Sequence, residues 1–313
     1  MTAAGLQVPD RVRRKALALG EAGVAWLAGL DDLVRDLAAA WHLTIEQPLA
    51  GGTESFVATA TTEDGEGAVL KIVPPGVDPA ESEVRTLLAA QGRGYARVLR
   101  HDAGHRAMLL ERLGMQLDAL GLPVEAQIEA ICAVLREAWM PLPAGARFTT
   151  GAEKAQDLSD FITAAWRELG EPCAVRTIDT ACRFAEARRR AFDPATAVLA
   201  HGDPHAWNTL VVPGDGPRRY RFVDPDGLFI ERAYDLAILM REWSAELLAG
   251  DPLVLGRHRC DRLARLNGVA PEPIWQWGLI ERTATGLLLL RLGLDDLARD
   301  YFAIADAWAI APG

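Results

Sequence analysis

The spacing of apolar positions changes along the chain, and the changes predict its elements. From Asp10 to Trp41 apolar residues recur at helical intervals: Leu17, Val24 and Leu27, then Leu33, Val34, Leu37 and Trp41. Gly29 lies between the halves, so this stretch predicts two helices with Asp10 and Asp31 as N-caps. The period then shortens. Thr44 to Leu49, Ser55 to Thr61 and Gly67 to Val73 read as strands, with Glu63-Asp64-Gly65 as the turn between the last two. A helix from Pro79 to Ala90 follows, then strands over Ala96–Arg100 and Ala107–Glu111, giving a five-stranded sheet with one internal helix. Leu113-Gly114 reads as a linker. Beyond Pro123 the helical period dominates: Glu125–Trp139, Ala152–Leu169, Ala174–Phe192, Ala233–Leu248, Pro252–Leu266, Pro273–Leu292 and Asp295–Trp308. This is an α+β chain with a sheet-bearing N-terminal domain, residues 1–112, and a mainly helical C-terminal domain, residues 113–313.

Composition narrows the function classes. Half of the 313 residues are hydrophobic and 24% are charged, enough for a sizeable core. A net charge of -10 argues against nucleic acid as a partner and suits a cationic small molecule. Cys132, Cys173, Cys182 and Cys260 are scattered without a Cys-x-x-Cys, as expected of reduced, buried thiols. Basic residues before Ala16-Leu17-Ala18-Leu19 imitate a secretory signal, but Glu21 interrupts the apolar run and no clear cleavage site follows. No apolar run reaches membrane-spanning length, so the expectation is a cytoplasmic protein, a monomer or weak homodimer.

The chemistry concentrates between Leu199 and Asp235. His201-Gly202-Asp203-Pro204-His205-Ala206-Trp207-Asn208 places an aspartate five residues before an asparagine, and Phe222-Val223-Asp224 ends an apolar run downstream. That spacing suits a carboxylate that accepts a hydroxyl proton, with an amide and a second carboxylate to hold magnesium through hard oxygens. Together with Val223-Asp224-Pro225-x-Gly227 and Glu231-Arg232-Ala233-Tyr234-Asp235-Leu236, the pattern resembles the aminoglycoside phosphotransferases, and more closely the streptomycin 6-kinase branch, the aminoglycoside/hydroxyurea resistance kinases. The resemblance runs from Pro9 to about Trp308.

The resemblance implies a two-lobed protein-kinase-like fold using ATP and Mg2+ to phosphorylate a hydroxyl of an aminoglycoside or aminocyclitol such as streptomycin. Asp203 is then the catalytic base or orienter, and Asn208 and Asp224 are the metal ligands. For the nucleotide, Gly51, Gly52, Thr53 and Ser55 form a phosphate-binding turn, although Gly-Gly also fits a plain hairpin. Lys71 closes Ala68-Val69-Leu70-Lys71, like the Val-Ala-Ile-Lys of kinases, and would bind the α- and β-phosphates; a snorkelling surface lysine reads the same way. Its carboxylate partner is Glu83 or Glu81, with Glu83 favoured because Leu87 shares its helix face. Backbone groups from Glu111 to Leu113 are the expected adenine hinge. His201 reads as a structural pin for the loop, and Asp235 as a tie to the loop backbone. His205, Asp226, Glu231 and Glu281 are candidate contacts to a cationic acceptor, with Arg282 beside the last; a solvated loop around Asp226 and Glu231 fits equally. Trp275 and Trp277 lie two apart and cannot share one helix face. Two other readings stay open: a kinase of an amino sugar or other endogenous metabolite, and a non-catalytic nucleotide-binding module.

Overall fold

The computed structural model describes residues 6–49, 55–76 and 79–310. The chain divides into two compact units, Met1–Gly114 and Met115–Gly313.

The first unit opens with helices α1 (Asp10–Ala18) and α2 (Glu21–Trp41). The break falls at Leu19-Gly20, not at Gly29, and Asp31 lies inside α2 rather than capping it. Packing decides this. Gly20 takes φ +69°, and a Cβ on Gly23 would sit 1.8 Å from Ala16 O, so only glycine lets α2 start against the end of α1. Strands β1 (Leu43–Pro48), β2 (Phe56–Thr62) and β3 (Gly67–Ile72) follow, then α3 (Pro79–Ala90), β4 (Val98–Asp102) and β5 (Ala107–Glu111). They form one antiparallel sheet in the order β1-β2-β3-β5-β4. The β2–β3 turn has Gly65 at φ +81° and Thr62 N–H donating to Glu66 O at 2.9 Å.

Strand alternation then sorts the sheet's faces. Ala68, Leu70 and Ile72 join Phe56, Ala58 and Leu109 in a core closed by Leu30, Val34 and Leu37 of α2. Lys71 falls between Leu70 and Ile72 and therefore projects from the opposite face, where Glu83 of α3 receives its side chain.

The second unit is mainly helical. Its elements are α4 (Val124–Ala138), β6 (Thr149–Thr150), α5 (Gly151–Glu168), α6 (Val175–Ala191), β7 (Val198–Ala200), β8 (Thr209–Val211), β9 (Tyr220–Phe222) and β10 (Leu228–Ile230). Helices α7 (Ala233–Arg241), α8 (Ser244–Leu248), α9 (Pro252–Asn267), α10 (Pro271–Arg291) and α11 (Asp295–Trp308) complete it. Helix α10 is the hub: it packs on α5, α6, α7, α9 and α11 and is buried around its circumference from Ile274 to Leu287. Glycines allow the close approach, since a Cβ on Gly278 would lie 2.8 Å from Met240 Cβ and one on Gly286 2.8 Å from Phe302. Trp275 and Trp277 are both fully buried, on different sides, against Trp308 and Tyr234 respectively.

One predicted element does not survive. The helix expected from Ala233 to Leu248 stops at Arg241, where Glu242 is extended and Trp243 turns left-handed at φ 51° before α8 begins. Among the described residues no helix is long and apolar enough to cross a membrane.

Candidate active site

The loop from His201 to Asn208 leaves β7 and enters β8, while Asp224 follows β9 and Asp226 precedes β10. Short strands thus bring the two halves of the motif together: β7 pairs with β10 and β8 with β9. The crossing points are backbone bonds. Gly227 N–H donates to His201 O at 3.1 Å and Val223 N–H to Asn208 O at 2.9 Å.

Asp235, in the first turn of α7, holds the loop from beneath. Its Oδ2 accepts the His201 N–H at 3.0 Å and the Trp139 indole N–H at 2.8 Å, and its Oδ1 accepts the Gly202 N–H at 2.8 Å. Burial pushes the Asp235 carboxyl up to about 6 against the pull of these donors. His201 is fully buried, and burial pushes its imidazole down to about 4, so it is neutral at pH 7. One tautomer then satisfies both contacts: Nε2–H donates to Val223 O at 3.0 Å and Nδ1 accepts the Asp203 N–H at 3.1 Å. Gly202 adopts φ +94°, and a Cβ there would lie 2.6 Å from Asp226 Cβ. That glycine is therefore what lets Asp226 pack against the Gly202 backbone, next in the chain to Asp203.

Both oxygens of Asp203 are engaged. Arg241 Nη2 donates to Oδ1 at 2.6 Å, and His205 Nε2 lies 3.1 Å from Oδ2. Burial alone would raise the Asp203 carboxyl; Arg241 and His205 outweigh it and hold the group far below the usual carboxylate range. The same contact works on His205, where burial is outweighed by Asp203 and the imidazole is raised. Asn208 donates its Nδ2 to Asp203 O at 3.1 Å, so its Oδ1 is the atom turned to other use. Asp224 is exposed and takes φ +54°, in the left-handed region that aspartate enters more readily than most residues other than glycine. Asp226 is solvent-accessible, with no hydrogen bond or ion pair among the described residues. Crowding by protein and the nearby Asp203 charge push it up to about 6.

The remaining candidates in this unit are tied down. Glu281 is buried, accepts the Tyr234 phenol O–H and lies 3.6 Å from Arg241 Nη1. Glu231 accepts the Trp277 indole N–H at 2.8 Å and approaches Arg188 at 3.4 Å, so it is no loose solvated residue. Arg282 is fully buried and caps backbone carbonyls at the end of α7. Arg241, Trp139 and Tyr234 went unselected in the sequence reading. Arg241 was hidden because the helical period ran past it, and Trp139 because nothing in its own segment points to Asp235.

In the first unit, Lys71 Nζ lies 2.7 and 2.8 Å from the Glu83 carboxylate oxygens, and both side chains are about one-tenth exposed or less. Glu81 faces outward and pairs with Arg85 at 3.0 Å. Glu83 and Leu87 share the buried face of α3. Ser55 is buried, whereas Gly51, Gly52 and Thr53 lie outside the described residues. The backbone of the expected adenine-binding segment, Glu111 to Leu113, is partly bonded within its own unit. Glu111 N–H is spent on Arg97 O at 3.0 Å and Arg112 N–H, just past the end of β5, on Gly67 O at 3.2 Å. The Leu113 amide carries no such bond among the described residues.

These groups can be set against known proteins. The family model described as aminoglycoside/hydroxyurea antibiotic resistance kinase matches residues 40–291. The chain belongs to that family. This kinase is 27% identical to streptomycin 6-kinase of Streptomyces glaucescens over 284 residues, covering 89% of this chain and 90% of that protein. It is 29% identical to hydroxyurea phosphotransferase of Kitasatospora aureofaciens over 272 residues, 82% and 76% of the two chains. Among solved structures it is similar to aminoglycoside phosphotransferase APH(3'')-Id from Streptomyces rimosus, in complex with ADP and streptomycin, with a TM-score of 0.55, 19% identity and coverage of 82% and 98%. The five-stranded antiparallel sheet and helical second unit of this kinase therefore form a protein-kinase-like α+β fold.

Proposed function

We propose that this kinase uses ATP and magnesium to phosphorylate a hydroxyl of an aminoglycoside or aminocyclitol such as streptomycin. The observation that carries the reading is an Asp203 carboxylate held by Arg241 and His205, with the accessible Asp226, unbonded among the described residues, near it. An ionised carboxylate with a free lone pair orients a hydroxyl; a second one nearby, with no partner among the described residues, suits an ammonium or guanidinium. The similarity to streptomycin 6-kinase supports a guanidinium-bearing acceptor.

In the transfer, the acceptor oxygen forms a bond to the γ-phosphorus as the bond to the β-γ bridging oxygen breaks, and ADP leaves. The hydroxyl proton passes to Asp203 and on to solvent. Asp203 is held so acidic that its work is orientation more than proton storage, which suits a loose transition state. Lys71, held by Glu83, would neutralise the α- and β-phosphates. The Leu113 amide and the Glu111 carbonyl would hold the base, and Ser55 with Gly51, Gly52 and Thr53 would cover the phosphates. Asn208 Oδ1 and the Asp224 carboxylate are hard oxygens flanking the paired strands β8 and β9, a donor set that fits magnesium, which would neutralise phosphate charge when bound.

The similarity to hydroxyurea phosphotransferase supports a second reading with a smaller acceptor at the same centre. Purified protein with ATP and magnesium, offered streptomycin, other aminocyclitols, amino sugars and hydroxyurea, decides between them by mass. The expected product is ADP with singly phosphorylated streptomycin; turnover of hydroxyurea alone selects the second reading, and no turnover on the panel overturns both. Asp203→Ala should lower kcat by about 10³-fold.

A further inference from the structure

Arg241 ends α7, and the way that end is built fixes its side chain. The last carbonyls of a helix need donors, and most helices find them in a left-handed glycine just beyond the end. Here the left-handed residue is Trp243, and the donors are two buried arginines from other helices. Arg282 of α10 gives Nη2 to Met240 O at 2.9 Å and Arg241 O at 2.7 Å, and Nη1 to Ser244 Oγ at 2.9 Å. Arg259 of α9 gives Nη1 to Glu242 O at 2.7 Å. The backbone at Arg241 is thus clamped from two sides.

From that fixed point the Arg241 guanidinium spreads over three carboxylates. Its Nη2 meets Asp203 Oδ1 at 2.6 Å, its Nε meets Glu242 Oε1 at 3.0 Å, and its Nη1 lies 3.6 Å from Glu281 Oε2. Glu281 is itself held by the Tyr234 phenol. The backbone of the Asp203 loop is fixed separately, by Asp235 and His201. That leaves the Asp203 carboxylate to be aimed by side chains, Arg241 on one oxygen and His205 on the other.

We infer that Arg241 is a positioning residue for phosphoryl transfer, one whose clamped guanidinium sets the orientation of the Asp203 carboxylate toward the acceptor hydroxyl. This rests on the kinase reading given above. It separates two functions that a catalytic loop often combines: the loop's path is set from α7's first turn, and its carboxylate is aimed from α7's last residue.

The test compares Arg241→Ala and Arg241→Lys with the wild type in the streptomycin assay, with melting temperature and circular dichroism confirming folded protein. A misaimed carboxylate should lower kcat by about 10²-fold in Arg241→Ala while the KM for ATP stays within about twofold. Millimolar guanidinium chloride, far below denaturing concentrations, should restore at least tenfold of that loss by filling the vacated space. Arg241→Lys keeps the charge without the fork and should remain at least tenfold below wild type. If Arg241→Ala fails to fold, the lysine variant's kcat decides, and wild-type turnover there overturns the inference. Wild-type kcat in Arg241→Ala, or a loss that guanidinium does not restore, also overturns it. Should the wild type turn over no acceptor, the kinase reading falls on its own; a crystal structure of Arg241→Ala, or of Arg241→Lys in its place, then decides. An altered Asp203 side-chain orientation supports the inference, and an unchanged one sinks it.

Discussion

The two units handle buried charge in different ways. In the first, Lys71 and Glu83 form an ion pair nearly sealed from water, from adjoining elements. In the second, Arg241 is shared among Asp203, Glu242 and Glu281, while Asp224 and Asp226 reach solvent beside them. A buried pair of this kind holds its lysine at a fixed place. A shared arginine among several acids leaves the neighbourhood anionic, which suits a metal ion and a cationic acceptor. The difference teaches that ligand sign is set by what the internal pairing leaves over rather than by the count of charges.

The sharpest break of this contrast is Glu83→Gln. It leaves the buried Lys71 ammonium without its carboxylate and should cost about 3–5 kcal/mol of stability, read as a fall in denaturation midpoint. A loss under about 1 kcal/mol would mean the pair is no more closed than a surface bridge.

Next in size is a pH effect confined to the second unit. His201 in the folded protein sits at about 4, below its ordinary 6.5, so the unfolded chain takes up the proton first. Its stabilisation is complete above pH 6.5 and is lost as pH falls toward 4, about 3 kcal/mol in all. Asp235 works in the opposite sense: raised to about 6, it stabilises below the ordinary 3.8 and loses that as pH rises through 6. Comparing wild type with His201→Asn cancels the Asp235 contribution. The stability gap between the two, from urea titrations, should close between pH 6.5 and pH 4; a gap independent of pH would mean His201 is not the buried neutral group described.

Asp226→Asn probes the accessible side of the contrast. It should raise the KM for streptomycin about tenfold, the worth of one charge-assisted hydrogen bond, and leave the KM for ATP unchanged. An unchanged acceptor KM would move the cation site elsewhere.

The smallest effect sets a floor for a purely local feature. Thr150 caps α5, its Oγ1 accepting the Glu153 N–H at 3.2 Å while Glu153 accepts the Thr150 N–H at 2.8 Å. Thr150→Ala should cost about 1 kcal/mol and leave catalysis alone. A kinetic change there would show that β6 transmits strain to its neighbour β10 and the loop beyond.

Much of the architecture was legible because it is local. The strand periods around Lys71, the Asp-Gly turn and the helix from Pro79 to Ala90 each follow from residues within a few positions of one another. The Glu83 choice was legible too, since helical spacing ties it to Leu87. The break after Arg241 was not: Ala233 to Leu248 keeps a helical period throughout, and the interruption is fixed by Arg282 and Arg259 from helices that arrive later in the chain. Which amides of the Glu111–Leu113 segment are bonded internally was not legible either, because only the neighbouring backbone shows that the Glu111 and Arg112 N–H groups are already engaged.

By itself, the sequence determined which groups this protein has for its chemistry and the order in which they come, since spacing along a chain is enough to specify strands, turns and a His-x-Asp-x-x-x-x-Asn loop. Tertiary structure alone decided how the Asp203 carboxylate is aimed, what grips Arg241, and which acids stay open to water. The reason is that a buried charge takes whichever partner the packing brings near, and those partners lie 38 and 41 residues away, beyond the reach of any local pattern.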